Sequence, residues 1–198
     1  MRDTHIPAAA LCSTLRAFGV ALNERTLYAL RGRSKREVIA SAITDSTAHT
    51  MFQRLLLKEF ERTAAEPVPG ARAAVAQLRG AGIKVALNTG FDGVTTRAAL
   101  ASMIWPADEF DAMVVDGDVP AGRPAPFMIF RAMQILDIQD VRAVAVVSPT
   151  TADLHAGHHA GAGWVIGVTS GAHKRSTLVA SPHSHLLDSI AQLPSLWL

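Results

Sequence analysis

Several features that mark common classes of protein are missing from the sequence. Cys12 is the only cysteine among 198 residues, so no disulfide can form within the chain. A chain without disulfides is typical of a reducing compartment, and we expect a cytoplasmic protein. Apolar residues make up 49% of the chain, which is enough to build a core without covalent cross-links.

Long basic runs and long hydrophobic runs are also missing. The net charge is +2, and Lys and Arg occur in short runs such as Lys174-Arg175. The electrostatic footprint of a nucleic-acid-binding protein is therefore absent. No apolar stretch approaches the roughly 18 residues that a membrane-spanning helix needs. We predict neither a nucleic-acid partner nor a membrane segment.

The first third of the chain carries apolar residues at helical spacing. We predict four helices between residues 7 and 62, joined by short links. Asn23 is placed to cap the second helix. Ser34 and Glu37 form a capping box for the third, in which each side chain accepts a hydrogen bond from the other residue's backbone N–H. Residues 7–64 are thus predicted to form an all-helical cap.

After a linker at residues 66–70, strands alternate with helices. Short apolar runs predict strands at residues 83–87, 112–115, 142–147 and 164–168. This alternation indicates a parallel sheet with right-handed crossovers. The predicted fold class is α/β, with a Rossmann-like core over residues 65–198 that follows the helical cap.

Three polar loops adjoin the predicted strands. They contain Thr89 with Gly90, then Arg123, and then Asp153. In an open α/β sheet, ligands bind at the carboxyl ends of the strands. A Thr hydroxyl beside a Gly amide, an Arg fork and an Asp carboxylate are the parts of a phosphate site beside a metal. We therefore predict that these residues converge on one anion-binding pocket.

The chain resembles the haloacid dehalogenase superfamily, specifically its phosphonatase-like branch, which includes phosphonoacetaldehyde hydrolase. The resemblance covers the helical cap and several short segments of the core, namely 88–92, 119–126, Ala156-Gly157, 161–163 and Gly167-Val168. It implies a Rossmann-like core with the cap inserted near the N-terminus. It also implies that the first core strand is missing from the chain as given, with residues 1–6 as a hinge remnant.

The resemblance implies a site of four motifs. The first, Asp-x-x-Gly-Thr, carries a nucleophilic Asp that also binds Mg²⁺, and it is absent here. Thr89 matches the second motif and Arg123 the third. The fourth is a pair of metal-binding Asp residues. Ser148-Pro149 stand where the first is expected, and Asp153 matches the second. With one carboxylate left, we predict weak or absent Mg²⁺ binding and a degenerate phosphoryl-transfer site.

Lys35 lies in a segment whose spacing resembles the one where phosphonoacetaldehyde hydrolase keeps its Schiff-base lysine. The simpler interpretation is a solvated lysine in the first turn of a helix. Each of the other candidates has a simpler interpretation too. Thr89 with Gly90 fits a strand-end turn, Arg123 a surface ion pair, and Asp153 a helix cap or a solvated carboxylate.

Further acids and histidines are weaker candidates. Asp116 and Asp118 could replace the lost carboxylates or serve a turn. The spacing of three histidines on one predicted helix suits a transition metal, but solvated histidines are the simpler interpretation. The three histidines of this helix are His155, His158 and His159. The tail after residue 168 is predicted as mostly loop, with His173, His183 and His185 exposed.

Three functional hypotheses remain open. The chain could be a degenerate family member that binds a small anionic or phosphorylated molecule between cap and core. It could be a hydrolase whose nucleophile strand lies upstream of Met1, or an enzyme that uses the same pocket for different chemistry. It could also be a subunit that completes its sheet with a partner or in a homodimer, because the missing strand would leave two exposed edges. Those edges, on strands 83–87 and 142–147, are predicted to pair directly or to accept another chain.

Overall fold

The computed structural model describes residues 6–198. Its first third contains the four predicted helices, which are α1 Ile6–Ala17, α2 Glu24–Ala29, α3 Lys35–Ala42 and α4 Thr47–Arg62. Of the predicted hinge at residues 1–6, Ile6 begins α1 and the rest lies outside the described residues. The division into a cap and a core at residue 64 stays a prediction.

The helical block has its own apolar core, centred on the contact of α1 with α4. Leu11 and Leu15 from α1 meet Phe52 and Leu56 from α4, and none of the four is more than 3% exposed. Burying a side chain of this size stabilises a fold by about 1.5–3 kcal/mol relative to leaving it in water. The amphipathic spacing in the sequence therefore produces a packed block.

Two predicted helix caps differ in outcome. Asn23 Oδ1 accepts from the backbone N–H of Thr26 at 2.8 Å, as predicted. Ser34 Oγ accepts from the N–H of Glu37 at 3.1 Å, which is half of the predicted capping box. The other half is wrong, because Glu37 Oε1 accepts from the N–H of Gly122 at 2.6 Å instead. Folding brings the loop before Arg123 within reach of α3, and a contact 85 residues away has no local signature.

After residue 70 strands and helices alternate, as predicted. The strands are β1 Ala86–Asn88, β2 Ala112–Val114, β3 Ala145–Ser148, β4 Trp164–Val168 and β5 His185–Leu187. The helices are α5 Ala71–Gly80, α6 Gly93–Ser102, α7 Phe127–Leu136, α8 Thr151–Ala160 and α9 Arg175–Val179, and a 3₁₀ segment Ile190–Leu196 follows. None of the helices in the described residues is long and apolar enough to cross a membrane.

Two strands begin later than predicted because acidic side chains accept hydrogen bonds from the backbone N–H groups just before them. Asp111 Oδ2 accepts from the N–H of Val85 at 2.7 Å, so β1 begins after it. Asp140 Oδ1 accepts from the N–H of Arg142 at 2.9 Å and starts a 3₁₀ turn before β3. The tail prediction is wrong in part, because β5 and α9 lie in the segment assigned to loops. Leu186 of β5 packs beside a buried cluster that includes Leu178 of α9.

The strands form two parallel sheets with the orders β1-β2 and β3-β4-β5. The prediction that strands 83–87 and 142–147 pair directly is therefore wrong. A cavity of about 850 Å³ is lined by residues of both β1 and β3. Helix α7 packs against β1 and β2 and also against α8, which covers β3.

Candidate active site

Arg123 and Asp153 form a buried ion pair at the carboxyl end of β3. Arg123 Nη1 donates to Asp153 Oδ1 at 2.9 Å, and the side chains are 9% and 14% exposed. Asp153 Oδ2 accepts from Ser148 Oγ at 2.6 Å and also from the Thr150 hydroxyl. The surface ion pair and the helix cap that were the simpler interpretations are both wrong. Thr150 caps α8, and Asp153 holds Arg123 in place.

Part of the Arg123 side chain has no partner among residues 6–198. Its Nε is buried and makes no hydrogen bond among the described residues, and the same is true of Asn88 Oδ1. Both residues line the cavity between the sheets. A buried polar group without a partner costs about 1–3 kcal/mol. The guanidinium therefore retains a donor for an oxygen of a bound anion, in the geometry that suits phosphate.

Gly90 lies beside Arg123, and Thr89 lines the same cavity as Arg123 and Asp153. The Thr89 N–H donates to Val114 O at 3.0 Å, which ties the residue to β2. Its hydroxyl oxygen accepts from the N–H of Phe91 at 3.2 Å, so the hydroxyl proton can still be donated. A side chain on Gly90 would come within 2.6 Å of Arg123 Nη2 and 3.2 Å of Arg33 O. Glycine is therefore needed for Arg123 and the loop before α3 to approach.

Lys35 is partly buried and is not a freely solvated lysine. Its Nζ donates to the carbonyls of Leu30 at 3.2 Å and Arg33 at 2.9 Å. Burial and the positive charge of Arg123 lower its pKa from 10.5 to about 8, although the charge of Asp153 acts in the opposite direction. A nucleophilic lysine needs a lowered pKa of this kind. The structure thus brings Lys35 into the electrostatic field of the Arg123–Asp153 pair.

Close contacts hold the helical block against the sheet residues on the Lys35 side. A side chain on Gly122 would come within 2.8 Å of Ser34 Cβ, so Gly122 allows the start of α3 to pack on this loop. Glu37 reinforces the contact through its bond to the Gly122 N–H. The ion pair between Arg36 Nε and Asp116 Oδ2 at 3.0 Å adds a further link. Asp116 is therefore a structural partner of α3.

A second contact joins α2 to the segment before α9. His173 is 2% exposed, although the sequence predicted an exposed loop residue. Its Nδ1 accepts from the N–H of Thr151 at 3.0 Å, and its Nε2 lies 3.0 Å from Tyr28 O. The Tyr28 hydroxyl accepts from the N–H of Lys174 at 2.8 Å. Nothing in the local sequence marks these partners, because they are more than 20 residues apart.

Four residues make contacts that the sequence did not indicate, namely Glu37 as a bridge to Gly122, Ser148, Thr150 and His173. Ser148 and Thr150 flank the Pro149 that departs from the fourth motif, and this departure was the available signal. Asp118 has the turn role that was one of its two interpretations, since its Oδ2 accepts from the N–H of Val115 at 2.9 Å.

The residues around Asp153 do not fit a magnesium ion. Mg²⁺ prefers octahedral oxygen ligation anchored by one or two carboxylates. Both oxygens of Asp153 already take part in hydrogen bonds or the ion pair. Within residues 6–198, no group of three or more His, Cys, Asp or Glu residues is placed to hold a metal. This includes the histidines of α8, of which His159 Nδ1 lies 2.9 Å from Pro124 O.

The fold and this arrangement of loops agree with a known family. Residues 4–166 match the family model described as haloacid dehalogenase-like hydrolase. The chain belongs to the haloacid dehalogenase-like hydrolase family. Within it, the phosphonatase-like branch is supported by a phosphonoacetaldehyde hydrolase of Parabacteroides distasonis, which is 30% identical over 178 residues. That alignment covers 74% of this chain and 64% of the relative.

Further comparisons find other proteins that are similar to this chain. A phosphonoacetaldehyde hydrolase-like protein of Syntrophobacter fumaroxidans is 36% identical over 110 residues, which cover 53% of the chain and 38% of that protein. The chain therefore spans less than two thirds of the length of these curated relatives. Among solved structures, a phosphonoacetaldehyde hydrolase-like protein from Oleispira antarctica aligns with a TM-score of 0.79 at 19% identity, over 98% of this chain and 86% of that one.

CbbY from Rhodobacter sphaeroides, solved in complex with phosphate, aligns with a TM-score of 0.81 at 20% identity. The alignment covers 98% of this chain and 91% of CbbY. At this level of identity, the likeness to both solved structures shows the α/β fold of the chain.

Proposed function

We propose that the chain captures a small anionic aldehyde, with Lys35 as the nucleophile and Arg123 as the anion-binding residue. The observation that carries the proposal is the pKa of Lys35, lowered to about 8 beside Arg123. At pH 7.5 about a quarter of such amines are neutral, against about 0.1% for a lysine of ordinary pKa. The names of the relatives support a substrate with a phosphonate and an aldehyde.

The anion is expected to bind between Arg123 and Thr89. Arg123 Nε is buried without a partner, and the Thr89 hydroxyl proton can be donated. Both groups donate hydrogen bonds, which suits the oxygens of a phosphonate or phosphate. Asp153 keeps the guanidinium at this position through its 2.9 Å bond to Nη1. The anion thereby places its aldehyde near the start of α3.

The chemical step is the condensation of an amine with a carbonyl. The neutral Lys35 Nζ attacks the carbonyl carbon, a C–N bond forms as the C=O π bond opens, and a proton passes from the nitrogen to the oxygen. The carbinolamine then loses its hydroxyl group as water and leaves an imine. For this step the amine leaves the carbonyls of Leu30 and Arg33, to which it donates in the free protein. Hydrolysis reverses the capture.

The proposal includes a degenerate phosphoryl-transfer site. Within residues 6–198, Asp153 is bound to Arg123, Ser148 and Thr150, and Pro149 offers neither a carboxylate nor an N–H. We expect no turnover above about 10⁻³ s⁻¹ in a sensitive phosphatase assay with Mg²⁺, far below typical enzymes. Faster turnover would exclude a degenerate site.

Borohydride trapping tests the capture. The protein is incubated with phosphonoacetaldehyde at pH 7.5 and reduced, and the modified lysine is located by peptide mass spectrometry. Modification is expected at Lys35 and to disappear in Lys35→Ala. Lys58→Ala is the matched control, because Lys58 is exposed on α4 and is expected to leave trapping unchanged. Equal modification of the Lys35→Ala protein would show that capture is nonspecific.

A second candidate function is a complete hydrolase in which a segment upstream of Met1 supplies the phosphoryl acceptor. The cavity between β1 and β3 favours it, because Arg123 and Asp153 line that cavity. Reading the coding DNA upstream of Met1 for an in-frame Asp-x-x-Gly-Thr motif tests this candidate. Without such a motif, the hydrolase hypothesis loses its nucleophile.

A further inference from the structure

His173 is a buried histidine whose two ring nitrogens both have hydrogen-bond partners. It is 2% exposed. The N–H of Thr151 donates to Nδ1 at 3.0 Å, and Nε2 lies 3.0 Å from the carbonyl oxygen of Tyr28. A backbone N–H can only donate and a carbonyl oxygen can only accept, so Nδ1 carries no proton and Nε2 carries one. The two contacts therefore require a neutral imidazole in a single tautomer.

The segment that carries His173 is fixed on the residue that precedes the start of α8. The N–H of His173 donates to Pro149 O at 3.1 Å. A Cβ on Gly171 would come within 2.5 Å of Pro149 Cβ, so glycine lets the segment lie this close. The backbone thereby sets the imidazole beside Thr151, the first residue of α8.

Tyr28 of α2 contacts this segment from the side of the helical block. Its ring centre lies 4.6 Å from that of His173, and its hydroxyl oxygen accepts from the N–H of Lys174 at 2.8 Å. Arg31 donates to the carbonyl of Ala172, and its guanidinium lies 5.2 Å from the centre of the Tyr28 ring. The end of α2 is therefore docked around the imidazole.

The loop of residues 30–34 joins α2 to α3 and lies on the start of α8. A Cβ on Gly32 would overlap the side chain of Thr150, so the loop is in direct contact with that residue. Thr150 in turn donates its hydroxyl to Asp153. One partner of His173 lies two residues before the loop, and the other is the residue after Thr150. The imidazole thus holds both sides of this contact together.

The same loop supplies the two acceptors of Lys35. The Nζ atom donates to Leu30 O at 3.2 Å and to Arg33 O at 2.9 Å. A displacement of the loop therefore moves the lysine relative to the buried ion pair of the candidate site. The position of the amine depends on the contacts of His173, although the two residues do not touch through a printed hydrogen bond.

The charges around His173 oppose a second proton on its ring. Arg31 is bound to the carbonyl of the preceding residue, and Lys174 is the next residue along the chain. The acidic residue in the first turn of α8, Asp153, is paired with Arg123. Among residues 6–198, the other charged residues of α2 and α9 make no hydrogen bond with the imidazole, and these are Glu24, Arg25 and Arg175.

We propose that His173 is a pH-sensitive positioning residue, which in its neutral form holds residues 30–34, and with them Lys35, against the start of α8. A proton added to Nδ1 turns the acceptor into a donor, so that two N–H groups face each other and the bond to Thr151 is lost. Because both nitrogens belong to one rigid ring, a ring that turns away from Thr151 also leaves Tyr28. The consequence for Lys35 rests on the proposed aldehyde capture, whereas the release of the loop does not.

An NMR titration of the full chain tests the release without any aldehyde. At about pH 7.5, nitrogen spectra of His173 are expected to show an unprotonated Nδ1 and a protonated Nε2. As the pH falls to about 5.5, Nδ1 is expected to take up a proton, and the protection of the Thr151 and Lys174 amides against hydrogen exchange is expected to fall at least about tenfold.

A pair of variants separates His173 from other effects of acid. The side-chain amide of His173→Asn can accept from the N–H of Thr151 but takes up no proton, so Thr151 protection is expected to change by less than about twofold over the same range. His183→Asn is the matched control, because His183 is exposed in the same tail and its Nδ1 lies 2.8 Å from Ser181 O. It is expected to titrate like the wild type, and the wild-type titration decides the question even where His173→Asn is unstable.

Borohydride trapping at Lys35 tests the consequence for the site. The yield of the wild type divided by that of His173→Asn is expected to fall about threefold or more between about pH 7.5 and 5.5, since the titration of Lys35 itself is common to both proteins. If neither protein traps the aldehyde while the amides still lose protection, the proposed function fails and the pH-sensitive contact stands.

Two results would overturn the proposal. Protection of the Thr151 amide that persists down to about pH 5 would make His173 a fixed structural residue. Equal loss of protection in the wild type and in His173→Asn would show that acid opens this region through other groups.

Discussion

At the residue scale, the position of Arg123 depends on Asp153. Removing one partner of a buried ion pair costs about 3–5 kcal/mol, because the other charge is left without compensation. We expect Asp153→Asn to lower the free energy of unfolding by an amount of this order, measured by urea denaturation. Asp140→Asn is the control, since Asp140 pairs with an exposed Arg142 and is expected to cost less than about 1 kcal/mol.

The double variant Asp153→Asn with Arg123→Met completes the test of this pair. It removes both charges and is expected to be more stable than Asp153→Asn alone, because the uncompensated guanidinium is gone. Equal losses for Asp153→Asn and Asp140→Asn would contradict the account of Arg123 as a buried, paired cation.

Lys35 makes stability depend on pH in a predictable direction. Its pKa is about 8 in the folded chain and 10.5 in the reference state. Between these pH values the unfolded chain binds more protons, so folding becomes more favourable as pH rises. We expect the melting temperature of the wild type minus that of Lys35→Met to be constant below about pH 7 and to rise from about pH 8 to 10. A flat difference over this range would show that the Lys35 amine is ordinary.

At the element scale, the contact between α3 and the Arg123 loop requires glycine at position 122. A Cβ there would come within 2.8 Å of Ser34 Cβ. We expect Gly122→Ala to displace the start of α3, to reduce aldehyde trapping at Lys35, and to cost about 0.5–3 kcal/mol of stability. Trapping yield and urea denaturation measure the two effects.

Gly80→Ala is the control for this contact. Gly80 ends α5, and a Cβ at this position would have no neighbouring heavy atom within 4 Å, so alanine is expected to be neutral or slightly stabilising. Normal trapping by Gly122→Ala would mean that α3 does not need this close approach to position Lys35.

The elements that the sequence predicted well are those with a strong local pattern. Leu11, Leu15, Phe52 and Leu56 repeat at helical spacing, and the four helices predicted between residues 7 and 62 are present between Ile6 and Arg62. Strand β5 was missed because its segment is rich in Ser and His and its partner is the distant edge of β4. Its stability comes from tertiary packing, which overrides local propensity.

The site was predictable in part for the same reason. Thr89, Gly90, Arg123 and Asp153 follow strands or the motif pattern, and the structure brings them together. The burial of Arg123 and the role of Glu37 depend on contacts between the helical block and the strand loops. Those contacts join residues tens of positions apart, so no local pattern could show them.

At the scale of the whole molecule, the two sheets and the helical block meet at one place. The carboxyl ends of β1 and β3, the Arg123 loop and the start of α3 surround the Arg123–Asp153 pair. The cavity between β1 and β3 is lined by the same pair.

The central claim is that this place holds an anion on Arg123 and Thr89 without a magnesium ion. A crystal structure of the chain soaked with phosphate and Mg²⁺ tests it most directly. The account predicts phosphate oxygens within hydrogen-bond distance of Arg123 Nε and the Thr89 hydroxyl, with Asp153 still paired to Arg123. An octahedral Mg²⁺ ion bound to Asp153 beside a carboxylate aligned for attack on the phosphate would contradict it.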